Sequence, residues 1–172
     1  MAGLLAWFEG PFARLGLSTA LATFIADQGH KLWMLKVYRI EDRGRVRITP
    51  FMDLVHVINP GISYGLFAQD GRNGQLVLAA FALVASVALA LWLARSATGS
   101  LMAASIGFII GGALGNALDR LHLGGVADFF SLHAFGYYWY VFNIADVAIV
   151  AGVAGLVYDS LRSSRKDAAN GA

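Results

Sequence analysis

The sequence predicts an all-α polytopic membrane protein: four transmembrane helices, a small β-hairpin or sheet insertion and one interfacial segment. Three observations carry this. Apolar residues make up 58% of the 172 positions and charged residues only 14%, against about 25% charged in soluble domains. A soluble sphere of this size has too little interior to hide that much apolar surface. A hydrocarbon layer of roughly 30 Å is crossed by about 20 mainly apolar helical residues, and four stretches of suitable length occur, at residues 15–35, 75–94, 101–119 and 137–158. The segments between them, above all 36–74, are polar or glycine-rich.

The first span, 15–35, is interrupted by Asp27, Gln28, His30 and Lys31. A cleaved signal peptide is the alternative, but no small-residue cleavage site follows Arg14. The insertion 36–74 contains YRIEDRGRVRI, which places a glycine turn between two short β-capable runs, with Val46 and Ile48 alternating with Arg45 and Arg47. The second span, 75–94, carries no charge and ends at Arg95. The third, 101–119, holds Gly107, Gly111 and Gly115 in a stripe that lets a neighbouring helix approach, within the chain or across a dimer seam. Ala148 and Gly152 repeat small-xxx-small in the fourth. Segment 120–136 is too apolar for a free loop and is expected to lie along the interface. The fourth span, 137–158, opens on an aromatic cluster suited to that boundary, and the tail after it is polar and expected to fray. The whole chain, 1–172, reads as one integral membrane domain.

Zero cysteines exclude disulfides, thiol catalysis and thiolate metal sites, and a net charge of +2 gives no argument for nucleic acid or another polyanion. His30, His56, His122 and His133 form no metal-ligand motif, Ser63 has no nucleophile elbow, and no phosphate loop is present.

Ionisable groups inside spans are costly and are functional candidates by default. Tracing the chain through four spans brings Asp27 and Lys31, then Asn116, Asp119 and Arg120, then Asn143 and Asp146 to one leaflet, each cluster at i, i+3 or i+4 spacing. Asp146 is expected roughly 10–15 Å inside the mouth of its helix, counted at 1.5 Å per residue from position 137. Asp27 and Lys31 either neutralise each other at the interface or serve the site; Asp119 and Arg120 either anchor a helix end or do likewise. Asp128 lies among apolar neighbours on the same leaflet. Two carboxylates brought close in a low-dielectric site cannot both ionise easily, which yields a general acid beside a general base.

Several strings, in order along the chain, resemble the bacterial lipoprotein signal peptidases (signal peptidase II): DQGHK at 27–31, NPGISYG at 59–65, GGALGNALDR at 111–120, GGVADF at 124–129 and FNIAD at 142–146. The resemblance implies an inner-membrane aspartic peptidase with no metal or organic cofactor, probed by substrate at the outer leaflet. It would cleave prolipoproteins before a cysteine that carries diacylglycerol. It implies Asp128 and Asp146 as the catalytic pair, with Asn59, Gly61, Gly112, Asn116, Arg120, Asn143 and Ala145 supporting the site and substrate. Asp27 and Lys31 match a first-helix polar pair of structural character. Pro60, Tyr64 and Ala127 depart mildly from the family pattern and touch pocket shape only. The resemblance further implies cytoplasmic termini, an extracytoplasmic insertion and a monomer among membrane lipids. Lysine and arginine counts favour the opposite orientation weakly, and a folded insertion is a poor subject for that rule. The rival readings are a small proton- or ion-conducting protein with a carboxylate relay, and a structural four-helix scaffold.

Overall fold

The computed structural model describes residues 10–61 and 71–170, with side chains as far as Ser164. The chain is dominated by long helices and carries one small antiparallel sheet. Helix α1 runs Pro11–Leu32, opened by proline in its first turn, and continues into a looser π-helical turn at Trp33–Val37. A one-turn helix α2 (Ile40–Arg43) follows, then strands β1 (Val46–Thr49) and β2 (Met52–Asn59). Helix α3 spans Arg72–Ser96, α4 Ser100–Leu123 and α5 Ile144–Asn170, with strands β3 (Val126–Ala134) and β4 (Tyr137–Phe142) between α4 and α5. Among the described residues, three helical segments are long and apolar enough to cross a membrane: Arg72–Ser96, Ser100–Leu123 and Ile144–Ser164.

Helix α4 is the hub and packs on α1, α3 and α5. Its glycines explain how. A Cβ on Gly107 would collide with the carbonyl of Gly16, and one on Gly111 with that of Ala20. The stripe therefore serves packing of α1 on α4 inside the chain. Gly152 does the same for α5, where a Cβ would stand 2.5 Å from the Ser105 carbonyl oxygen.

The insertion differs in detail from the sequence reading. The run at 38–40 is not a strand: Ile40, 1% exposed, packs with Met34, Ala127 and Phe129 and draws residues 40–43 into a helical turn. The hairpin turns at Pro50 and Phe51 instead, where Thr49 pairs with Met52. The sheet has four strands in the order β1-β2-β3-β4, all antiparallel. Half of it comes from the segment read as interfacial and from the expected start of the fourth span. Residues 137–142 are strand, so the last helix begins at Ile144 rather than at 137. Ala134 pairs with Tyr137 across Phe135 and Gly136, both at positive φ. That geometry is the two-residue turn whose twist suits a hairpin. The last helix also continues through the polar tail to Asn170, where fraying was expected.

Candidate active site

Strand β3 and the start of α5 bring the two candidate acids together. Asp128 stands on β3 opposite Val57, and α5 begins immediately after β4. Asn143 ends the extended chain and caps α5: its Oδ1 accepts from the Asp146 backbone N–H at 3.0 Å, while its own N–H donates to Asp146 Oδ2 at 3.3 Å. This reciprocal pair is a capping box, which fixes the Asp146 side chain against the helix end. Asp146 therefore sits in the first turn of α5 rather than deep inside the helix, because the six residues before Asn143 are strand. The same Asn143 donates from Nδ2 to Asp128 Oδ1 at 2.7 Å. One fully buried amide thus touches both carboxyl-bearing residues.

Each acid has further donors. Asn59, at the end of β2, gives Nδ2 to Asp128 Oδ2 at 3.3 Å. Asn116 gives Nδ2 to Asp146 Oδ1 at 2.9 Å, and the Tyr140 hydroxyl reaches Asp146 Oδ2 at 3.5 Å. Asp128 is 1% exposed between Ala127 and Phe129, both fully buried. Burial first, and the neighbouring Asp146 charge second, push its carboxyl from the ordinary 3.8 up to about 7, against the opposing pull of Asn59 and Asn143. A carboxyl in that range is able to hold a proton near neutral pH.

Beneath the acids lies a buried ionic cluster. Lys31 Nζ is 2.8 Å from Asp27 Oδ2, 2.7 Å from Asp119 Oδ2 and 3.2 Å from Asn116 Oδ1, so its three protons are all engaged. The pair expected on α1 is thus a triad, and it is buried rather than interfacial. Asp27 Oδ1 accepts from the Ala145 N–H at 3.0 Å, which caps α5 from a different helix. Asp119 Oδ2 accepts from the Ala127 N–H at 3.1 Å and so holds the strand residue next to Asp128. The helix carrying Asp119 and Arg120 does not end there but runs on to Leu123. Glycines make the space: a Cβ on Gly115 would stand 2.5 Å from Asp27 Oδ2, and one on Gly112 2.6 Å from the Ala145 carbonyl oxygen.

Arg120 donates to the Asn116 carbonyl at 3.0 Å and to the Gly61 carbonyl at 2.7 Å. Gly61 in turn donates its N–H to Asn59 Oδ1 at 3.0 Å. Every supporting residue expected from the sequence thus meets the cluster. Ser63 and Tyr64 of the NPGISYG string lie outside the described residues. A cavity of about 210 Å³ opens on Asp146, Asn116, Arg120, Asn59 and Tyr140 and is walled by apolar residues such as Phe81 and Ile149. None of the four histidines lines it, and among the described residues no group of His, Asp and Glu converges as a metal site.

Three participants were not assigned to the site from the sequence. Gln28 donates to Asp27 Oδ2, the Gly115 carbonyl and Asp119 Oδ1 at 3.0–3.1 Å. Gln75 donates to the Pro60 carbonyl at 2.6 Å. Tyr140 is hidden in sequence by its place in an aromatic run. The polar positions of Gln28 and Gln75 in or beside apolar spans were the available signal for the other two.

The family model described as Signal peptidase (SPase) II matches residues 19–162. A protein of Rhodopseudomonas palustris (strain ATCC BAA-98 / CGA009) named lipoprotein signal peptidase is 53% identical over 152 residues, covering 86% of this chain and 92% of that one. A protein of the same name from Methylocella silvestris is 50% identical over 151 residues, covering 88% of each. A solved structure described as a bacterial membrane enzyme, determined by the in meso method at 2.3 Å, superposes with a TM-score of 0.73 at 26% identity, over 87% of this chain and 88% of that one.

Proposed function

The chain belongs to the signal peptidase II family, and from that premise we propose that Asp128 and Asp146 are the pair with which it cuts. It is an aspartic-type membrane peptidase that removes signal peptides from prolipoproteins. The observation that carries the assignment is the Asn143 side chain, which bonds both acid-bearing residues beside the cavity that Asp146 lines.

The chemistry follows from the surroundings of each acid. Asp128, held up to about 7 by burial, keeps its proton near neutrality. Asp146 lies at the positive end of α5 and accepts from Asn116 and the Asn143 amide, donors that favour its charged form. A water between them gives one proton to Asp146 as its oxygen attacks the scissile carbonyl carbon, while Asp128 gives its proton to the carbonyl oxygen. The tetrahedral diol then collapses: Asp128 recovers a proton from one hydroxyl, Asp146 passes its proton to the amine nitrogen, and the C–N bond breaks. Arg120, fixed on Gly61, and Asn116 orient the substrate backbone beside the acids.

Helix α1 is the fourth span in this reading, its charges being spent within the protein on Asn116, Asp119 and Ala145. Both termini lie in the cytoplasm, and the acids and the sheet lie at the outer leaflet of the inner membrane. A monomer then receives its substrate laterally, with the diacylglyceryl chains of the modified cysteine still in lipid. Confinement of the buried ionic groups to one end of the bundle runs against a conducting relay, which needs them through the full depth. The test is purified protein with a diacylglyceryl-modified prolipoprotein peptide and its unmodified twin. The expected product is the signal peptide cut immediately before the modified cysteine, with the unmodified peptide intact. Equal cleavage of both, or a cut elsewhere, overturns the assigned substrate.

A further inference from the structure

Two further cavities share Leu121 in their walls. One is a groove of about 440 Å³ between α1, α3 and α4, and every side chain lining it is apolar, among them Leu17, Phe24, Leu83, Ile110 and Leu118. The other, about 310 Å³, lies at the end of the bundle where α3 begins and α4 finishes, and is lined by Arg72, Gln75, Arg120 and His122 beside Leu76. Gly71, the N-cap of α3, also lines it, and no side chain caps that 25-residue helix. The positive helix end therefore opens on the cavity. Arg120 is only 8% exposed, and its buried Nε has no hydrogen-bond partner. Among the described residues, no carboxylate lies within ion-pair distance of Arg72; Arg120 also has none that close, although Asp119, Asp146 and Asp128 act on it from farther away.

We propose that the two cavities form one site for an anionic glycerophospholipid, with its phosphate at Arg72, Arg120 and the start of α3 and an acyl chain in the groove. The chemistry separates this occupant from the substrate. A diacylglyceryl thioether has no phosphate and leaves Arg72 unmatched, whereas a phospholipid offers a phosphate to Arg72 and an acyl chain to the groove. The depths agree: the helix ends lie where headgroups lie, and the groove descends from there into the hydrocarbon layer. Arg120 borders both this site and the cavity at Asp146, so the bound phosphate braces the residue that holds Gly61. The inference rests on the membrane-spanning reading of the bundle and not on the assignment of the acids.

The test uses full-length protein in nanodiscs of equal phosphatidylcholine and phosphatidylglycerol, with native mass spectrometry of the lipid retained on release. Wild type is expected to keep phosphatidylglycerol in preference. Arg72→Gln, on an exposed side chain, lowers that retention about fivefold, one arginine's share near a membrane surface. Leu118→Trp, which fills the groove, lowers retention of both lipids. Asp128→Asn keeps the wild-type preference whatever happens to its cleavage, so failure of the lipid site and failure of the catalytic assignment are read separately. Equal retention of the two lipids by wild type, or indifference to Arg72→Gln, overturns the proposal.

Discussion

Replacing Asp128 by Asn removes an ionisation that the folded protein resists, and the effect on stability has a computable sign. A carboxyl raised from 3.8 to about 7 disfavours the charged folded state by about 4 kcal/mol once fully ionised. Because the folded pKa is the higher one, the unfolded chain ionises first. The stability the proton confers is whole below about pH 4, is lost between about pH 4 and pH 7, and is constant above. Asn carries no such dependence. Its amide still accepts from Asn143 but presents a donor to Asn59, at a pH-independent loss of about 1 kcal/mol. Relative to wild type, Asp128→Asn should therefore gain about 2–3 kcal/mol between about pH 5 and about pH 8. In thermal unfolding of the detergent-solubilised protein that is on the order of 5–10 °C of differential Tm for a chain of this length. A gap between the two proteins that stays constant with pH, or narrows as pH rises, refutes the buried, proton-holding state of Asp128.

Asp27→Ala strips the cap from the Ala145 N–H and leaves Lys31 with one carboxylate fewer in a buried site. A loss of about 3–5 kcal/mol is expected, seen as a lower Tm, with Asp27→Asn losing less because it keeps an acceptor for that amide. Gly112→Ala puts a Cβ 2.6 Å from the Ala145 carbonyl oxygen. Displacing the first turn of α5 should cost about 1–3 kcal/mol in stability and at least tenfold in kcat, since Asp146 sits in that turn. With Asp128 as proton donor, kcat/KM should fall above about pH 7, because deprotonation removes the acid. A rate still rising well above pH 7 would assign the roles otherwise.

Much of the site was legible because helix direction alternates. Asp27, Asn116 and Asn143 occupy the ends of the first, third and fourth apolar stretches, which alternation brings to one end of the bundle, and they do meet around Lys31 and Asn143. The sheet was less legible. Residues 126–129 are all buried, so β3 lacks the alternation that marks a half-exposed strand, and YYWYVF reads equally as an interfacial aromatic belt. Phe135 at positive φ disguised the hairpin, since that position favours Asn, Asp or Gly. The error displaced the start of α5 and with it the depth of Asp146. The string N-I-A-D held the correcting signal, an N-cap residue followed three positions later by an acid. Gln28 read only as an interruption of the first span, because its role depends on carbonyl and carboxyl partners nearly ninety positions away in the chain.

Single-turnover cleavage of the diacylglyceryl-modified peptide by wild type, Asp128→Asn, Asp146→Asn and the double variant tests the shared-proton pair most directly. Two carboxyls acting as one unit predict that each single variant falls to the same background rate and that the double variant falls no further. A single variant that cuts near the wild-type rate, or losses that multiply in the double variant, would contradict it.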